Sequence, residues 1–430
     1  MAVSFAIFPH CRIRHQTGLH LMRVLHTSDW HLGRSLFGQK RYEEFSAFLD
    51  WLARTLQEKA VDVLVVSGDI FDSGTPSNRA QRLYYDFLRQ VYLSSCRHVV
   101  ITAGNHDSPS MLGASREILQ VLDVHVVGNL PEDPAEEIKV LRDAQGRVAL
   151  IVCAVPFLRD ADMRLVEEGE SSGDKESKMQ EAIRRHYAQV LEEAAALRDR
   201  LAPDVPLLCM GHLFTAGGQT VDGDGVRDLY VGSLAHVPAS IFPPCVDYLA
   251  LGHLHVPQRV GGMEHMRYSG SPLPMGFGEA SQPKSVCLID FAGRSARVEL
   301  LPVPEFQKLE RVSGSMSDIR SRLAALRDSG SSAWLEVVYT GDDLEGSLRQ
   351  QVETAVAGSG LRVLKIRNAR LLDSQPSLDD TGRNLEELSE TEVFSRCLAA
   401  RKIEGAQADL LMRLYGEILT AMHETDSNAE

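Results

Sequence analysis

Val63-Leu64-Val65-Val66-Ser67-Gly68-Asp69-Ile70-Phe71-Asp72 decides how this chain is read. The stretch opens on a short apolar run with no alternation, which reads as a strand buried on both faces. The run stops at a glycine, where the backbone can turn sharply, and an aspartate follows at once. In α/β sheets ligands gather where strands end and loops begin. Asp69 therefore stands where a bound group would be held.

The same arrangement recurs on either side. Apolar runs at Val24 to Thr27, Val99 to Thr102, Ala149 to Val155, Leu207 to Met210 and Tyr248 to Leu251 also read as buried strands. Helical spacing separates the early ones, with Phe45, Phe48, Leu49 and Leu52 on one stripe and Leu83, Tyr84, Phe87, Leu88 and Val91 on another. Strand alternating with helix predicts an α/β domain. At or just past the strand ends stand Asp29-Trp30-His31, Gly104-Asn105-His106-Asp107, Gly211-His212 and Gly252-His253-Leu254-His255.

Together these segments offer two carboxylates, an amide and several imidazoles. A carboxylate has two oxygens, so Asp69 can bridge two cations, and Asn105 offers a neutral carbonyl oxygen. Mixed oxygen and nitrogen ligation suits manganese, iron or zinc better than magnesium or calcium. Two cations ~3.5–4 Å apart clamp phosphoryl oxygens and absorb the charge of in-line attack. His106, beside Asn105, is the natural proton donor to the leaving alkoxide. Singly, each segment has an ordinary explanation: Gly-Asp is often a turn, Asn105 and Asp107 fit turn or cap positions, and His253 and His255 fit exposed strand ends. Jointly, in order and at strand ends, they point to a two-metal phosphoester-cleaving centre.

Other residues read differently. His26, inside the first strand, is expected as a hydrogen-bonded core residue, and Asp62 and Asp247 as turn residues before strands. Trp30 either packs its loop or meets substrate. Arg34, Lys40 and Arg41 lie near enough in sequence to meet phosphates.

The chain has 430 residues, too many for one ordinary core, so two or three domains are expected. The formal charge of −14 argues against a surface coated in basic patches, while leaving room for a local basic groove or a basic partner. The seven cysteines are scattered and form no C-x-x-C pair, which fits a reducing cytoplasm. No apolar run approaches the ~18–20 residues needed to span a membrane. Residues 1–21 read as a disordered extension or a start-site artefact, because Met22 is a second possible start. Glu167 to Lys178 reads as an exposed loop. The helix after it carries Met179, Ile183, Tyr187, Val190 and Leu191 on one stripe. From Val303 a small α/β unit is expected, with helices at Ser317 to Leu326 and Leu344 to Ala357 and strands at Ala333 to Tyr339 and Leu361 to Ile366. A polar linker at Ser374 to Asn384 precedes two last helices. Ser389 and Glu392 fit a capping box for the first, and the second carries Leu410, Leu411, Leu414, Tyr415, Ile418, Leu419 and Met422 on one face. Apolar residues on Asn78 to Leu93 and on a helix expected at Met111 to Leu122 suit contact with a second copy.

The order D-x-H, G-D, G-N-H-D, G-H, G-H-x-H resembles the calcineurin-like metallophosphoesterase superfamily. The fuller stretches at Leu25 to Arg34, Gly68 to Asp72, Ala103 to Ser108, Asp247 to His255, Arg267 to Pro274 and Leu385 to Phe394 resemble the SbcD family of bacterial nuclease subunits. The resemblance runs from Met22 onward. It implies a β-sandwich flanked by helices over 22–302, a small α/β capping domain over 303–373 that helps seat DNA, and a C-terminal helix pair over 384–424 that docks on an SbcC-type ATPase. It implies two divalent metal ions, manganese preferred, one held by Asp29, His31, Asp69 and His255 and the other by Asp69, Asn105, His212 and His253. His106 would be catalytic. ATP would act through the partner, in an assembly of two nuclease and two ATPase subunits that degrades double-stranded DNA from 3′ to 5′, cuts single strands and opens hairpins. Asp72 stands where archaeal and eukaryotic relatives place a second histidine. Two other functions fit the motif set: a metallophosphatase or cyclic-nucleotide phosphodiesterase on the same scaffold, and a scaffold protein with a dead centre.

Overall fold

A computed structural model describes residues 22–163, 172–215, 237–341 and 348–369, with Gly218 and scattered residues between 394 and 415. The chain starts with β1 (Met22–Thr27), a hairpin of β2 (Ser35–Leu36) and β3 (Gln39–Lys40), α1 (Tyr42–Glu58), β4 (Val63–Ser67), α2 (Asn78–Tyr92) and β5 (His98–Thr102). Two short helices, α3 (Pro109–Gly113) and α4 (Arg116–Val121), lead to β6 (Val124–Val127), β7 (Ile138–Arg142), β8 (Val148–Ala154), α5 (Asp160–Met163) and the long α6 (Ser172–Leu201). Then come β9 (Leu207–His212), β10 (Tyr248–Gly252), β11 (Gln258–Val260), β12 (Met263–Tyr268), β13 (Ser285–Ala292) and β14 (Ser295–Pro302). The last described elements are β15 (Leu309–Gly314), α7 (Met316–Asp328), β16 (Trp334–Tyr339), α8 (Leu348–Val356) and β17 (Arg362–Asn368).

Two six-stranded sheets result, in the orders β14-β13-β1-β4-β5-β6 and β11-β12-β10-β9-β8-β7. β1, β4, β5 and β6 run parallel, and so do β8, β9, β10 and β12, while the outer strands close each sheet antiparallel. The absence of alternation now has a cause. Val63 and Val65 face the second sheet, packing with Leu150, Val152, Leu208 and Met210. Leu64 and Val66 face the helices, packing with Phe45, Phe48 and Phe87. Burying each such side chain stabilises by about 1.5–3 kcal/mol over leaving it exposed. α6 covers the outer face of the second sheet through Ile183, Tyr187, Val190 and Leu191. The result is the expected β-sandwich flanked by helices.

The sandwich aligns two sets of strand ends. Ser67, last in β4, donates its hydroxyl to the Ala250 carbonyl of β10 at 3.0 Å. Its own carbonyl accepts from His212 Nδ1, at the end of β9, at 2.9 Å. The loops after β1, β4, β5, β9 and β10 therefore open at one end of the molecule. β15, β16 and β17 form a separate parallel sheet with α7 and α8 on it and a core of its own, including Val312, Ile319, Leu323, Leu335 and Val337. The β2–β3 hairpin meets this unit: Leu36, Phe277 and Leu309 share a small cluster, and Lys365 Nζ sits 4.4 Å above the Phe37 ring.

Several expectations change. Met111 to Leu122 falls in two short helices, because Ser115 leaves helical geometry (φ −104°, ψ 9°) two residues after Gly113 ends the first. The segment expected as a loop to Lys178 is already helical from Ser172. Residues 1–21, 164–171, 342–347, the linker and most of the expected C-terminal helix pair lie outside the described residues.

Candidate metal centre

The centre is built on backbone that side chains rarely adopt. Asp29 (φ 54°), His31 (φ 48°), Asp69 (φ 52°) and His253 (φ 100°) all lie in the left-handed region. Such conformations cost of order 1–3 kcal/mol each and persist where neighbours enforce them. Here they do: Asp29 and His31 donate backbone N–H to the carbonyls of Gly68 and Asp69, both at 3.0 Å. Two positions must be glycine for closeness. A Cβ at Gly104 would run into the Asp69 carboxylate, and one at Gly252 into the Ser67 carbonyl.

The expected ligands converge. Oδ2 of Asp69 lies 3.6 Å from His31 Nε2 and 3.3 Å from His212 Nε2, so one oxygen faces both halves of the site. Oδ1 accepts the His106 amide at 2.9 Å. His31 Nε2 and His255 Nε2 are 3.2 Å apart. Asn105 Oδ1 faces His212 Nε2 at 3.0 Å and His253 Nδ1 at 3.1 Å. Asp29 accepts the His253 amide at 2.9 Å and the Ser28 hydroxyl. His106 packs edge-on against His31 (centroids 4.8 Å), and its Nδ1 donates to the Asp72 carbonyl at 2.9 Å. Asp29, His31, Asp69, His212, His253 and His255 are all at least 95% buried.

Charge follows burial. Desolvation pushes His31 down to about 4 and His253 down to about 3, so both rings are neutral. Burial also opposes charge on His212, but the Asp69 and Asp29 carboxylates carry it up to about 9. Asp69 is held well below the ordinary carboxylate range, where His212 and His31 outweigh its burial. Burial raises Asp29. Carboxylate, amide and imidazole donors thus crowd together at the site. His31 Nε2 and His255 Nε2 face each other at 3.2 Å, and the buried His253 Nε2 has no hydrogen-bond partner. Donors of this type and crowding fit divalent cations.

Supporting residues stand behind the candidate ligands. The Asp107 carboxylate accepts the N–H of Gly104 (2.9 Å), Ile70 (3.1 Å) and Phe71 (2.9 Å), tying the loop after β5 to the loop after β4. The sequence marked it as the last residue of the G-N-H-D segment and as a turn or cap position. Glu279 faces His255 Nδ1 at 3.5 Å, with Lys284 paired to its other oxygen. No ligand spacing marks this pair. Trp30 is fully buried against Phe48 and Phe87, so it packs its loop. Arg41 is not a phosphate contact: it is 1% exposed and forks onto Glu44. Arg34 pairs with Asp72 at 3.1 Å. His26 is a core residue, its Nδ1 3.1 Å from the Tyr248 hydroxyl.

Residues 22–257 match the family model described as Calcineurin-like phosphoesterase, and residues 305–402 match the one described as Type 5 capsule protein repressor C-terminal domain. The chain is 36% identical to the SbcD subunit of nuclease SbcCD from Escherichia coli strain K12 over 397 residues, covering 92% of this chain and 97% of that one. It is 35% identical to the protein of the same name from Rhodobacter capsulatus, over 83% of this chain and 88% of the relative. For the Bacillus subtilis counterpart the identity is 32%, over 74% and 78%.

Proposed function

The chain belongs to the calcineurin-like phosphoesterases and, within them, to the SbcD subunits of SbcCD nucleases, and on that premise we propose that it is the nuclease component of an ATP-dependent DNA-processing complex. Its centre would take two manganese ions, one on Asp29, His31, Asp69 and His255, the other on Asp69, Asn105, His212 and His253. The single observation that carries this reading is Asp69 Oδ2, within 3.6 Å of a ring nitrogen on each side. When bound, such a cation pair polarises the attacking water and takes up charge on the phosphoryl oxygens.

The chain's own groups supply the rest. Asp69 holds both halves of the site at a fixed spacing. Ser28 and the His253 amide fix the Asp29 carboxylate. The Asp72 carbonyl holds the hydrogen on Nδ1 of His106 and so orients the ring; once Nε2 has also taken up a proton, it would hand that proton to the leaving sugar oxygen. Asp72, where archaeal and eukaryotic relatives place a second histidine, would support the site through its carbonyl to His106 and its carboxylate, 3.4 Å from His31 Nδ1.

The reading assigns residues 22–302 to the nuclease domain, 303–373 to a cap that seats DNA, and 384–424 to a helix pair that docks on an SbcC-type ATPase, through which ATP acts. Support for that docking is the stacking of Phe394 on Tyr415 at 4.0 Å, while Leu410 and Leu414 stay 52% and 45% exposed. A second copy would pack on α2 and α4, where Tyr92, Leu93, Ile118 and Val121 are exposed, giving a homodimer inside a heterotetramer. The described cysteines are free and mostly buried, which fits a reducing compartment. No described helix is long and apolar enough to cross a membrane.

The test compares Mn2+-dependent cleavage of hairpin and linear duplex DNA with turnover of small phosphoesters, with and without the ATPase partner. DNA degradation that His106→Ala abolishes is expected. Rapid small-ester turnover with intact DNA would instead indicate a phosphatase or cyclic-nucleotide phosphodiesterase. DNA cleavage unchanged by His106→Ala would remove that residue's role.

A further inference from the structure

A second group of ligating side chains meets at the far end of the first sheet. His98 opens β5, Asp123 closes the turn before β6, and His125 is the second residue of β6. One donor atom from each lies within 4.8 Å of the other two. The catalytic loops follow the carboxyl ends of these parallel strands, whereas this group sits at the amino ends. The length of β5 therefore separates the two sites by roughly 15–20 Å.

The hydrogen bonding fixes which atom of His98 is available. Its Nε2 is 2.8 Å from the carbonyl of Arg142. A carbonyl only accepts, so Nε2 carries the hydrogen and the neutral ring keeps its lone pair on Nδ1. That Nδ1 is buried and makes no hydrogen bond. The nearest carboxylate oxygen, Asp123 Oδ1, is 3.8 Å away, too far for a hydrogen bond. The His98 and His125 rings lie nearly parallel, with centroids 6.4 Å apart. A ring nitrogen held this way, by a backbone carbonyl on its opposite nitrogen, is the usual setting of a metal-binding histidine.

The surroundings leave room for an ion. A cavity of about 460 Å³ opens here, lined among others by Tyr92, Arg97, Leu122 and Asp143. Of the nearby positive groups, Arg142 Nη1 donates to the Gly146 carbonyl at 2.9 Å and Lys139 Nζ donates to the Glu136 carbonyl, while Arg97 lines the cavity. Asp143 is occupied by Arg147.

We propose that His98, Asp123 and His125 form a further divalent-cation site, of the zinc class and separate from the catalytic centre. Two imidazoles and one carboxylate suit zinc or its first-row neighbours, with a fourth position left to water. The bound ion ties the turn before β6 to β5, and through the Arg142 carbonyl to the second sheet. The site lies beside the apolar face of α2 and α4.

The test loads the full-length chain with Zn2+ by equilibrium dialysis and counts zinc per chain, for wild type, His125→Ala and Asp123→Asn. Asp123 is in the left-handed region (φ 57°), where asparagine is tolerated, so this second variant keeps the turn. Each variant is expected to hold one zinc fewer per chain and to lose part of the zinc-induced rise in Tm, with Mn2+-dependent phosphodiesterase activity unchanged. Because only the difference between proteins is read, zinc bound at the catalytic centre cancels. Equal zinc content in all three proteins overturns the proposal, whatever the activity of the catalytic centre.

Discussion

Oε1 of Glu279 stands 3.5 Å from Nδ1 of His255, and both groups are buried. The contact turns the other nitrogen of the ring, Nε2, toward His31. Lys284 neutralises the second oxygen of Glu279 and also donates to the His255 carbonyl at 3.1 Å. Burial opposes the charge on Glu279, but His255 and Lys284 hold its carboxyl down to about 2.

Glu279→Gln keeps the shape of this support and removes its charge. Outer partners of metal-binding histidines commonly contribute 10–100-fold in affinity. Calorimetric titration should show Mn2+ binding weakened by about that factor, with the circular dichroism spectrum unchanged. Unaltered affinity would mean that His255 orients itself without Glu279.

Asp107 should matter for stability as well as turnover. Asp107→Ala strands three buried amides, each worth about 1–3 kcal/mol when left unpaired. Urea unfolding should report a loss of about 3 kcal/mol or more. Because the same carboxylate anchors the loop carrying Asn105 and His106, kcat on a phosphodiester should fall in the fraction that stays folded. A stable Asp107→Ala protein with full activity would contradict this.

His26 gives stability a dependence on pH. Burial drives its pKa down to about 3, against about 6.5 in an unfolded chain. Between those values the unfolded state binds more protons than the folded one. Stability therefore rises with pH across the window, is full above about 6.5, and is lost as pH falls toward 3. One such group contributes a slope of at most about 1.4 kcal/mol per pH unit. Urea unfolding of the metal-free protein from pH 4.5 to 7.5 should show a steeper slope for wild type than for His26→Gln. Equal slopes would place a charged or hydrated His26 in the native core.

The convergence of the candidate ligands was legible in the sequence because each ends a strand at a glycine or a sharp turn, and that local pattern survives in one dimension. The unalternating valines of β4 likewise announced a strand covered on both sides. Other parts carry no such signature. β13 and β14 pair antiparallel through tertiary context, and neither was anticipated. The Glu279–Lys284 pair lies well past the last ligand and acts only because the fold returns it to His255. Arg41 looked like a phosphate contact because charge is visible in sequence and burial is not. Conversely, the helix expected through Met111 to Leu122 ignored Gly113 and Ser115, which are weaker helix formers than their neighbours.

The most direct measurement is anomalous diffraction from crystals soaked in Mn2+. Two peaks separated by ~3.5–4 Å are expected, with Asp69 between them, Asp29, His31 and His255 on one, and Asn105, His212 and His253 on the other. No peak there, or a lone ion that Asp69 does not touch, would contradict the two-ion centre and the phosphodiester chemistry built on it.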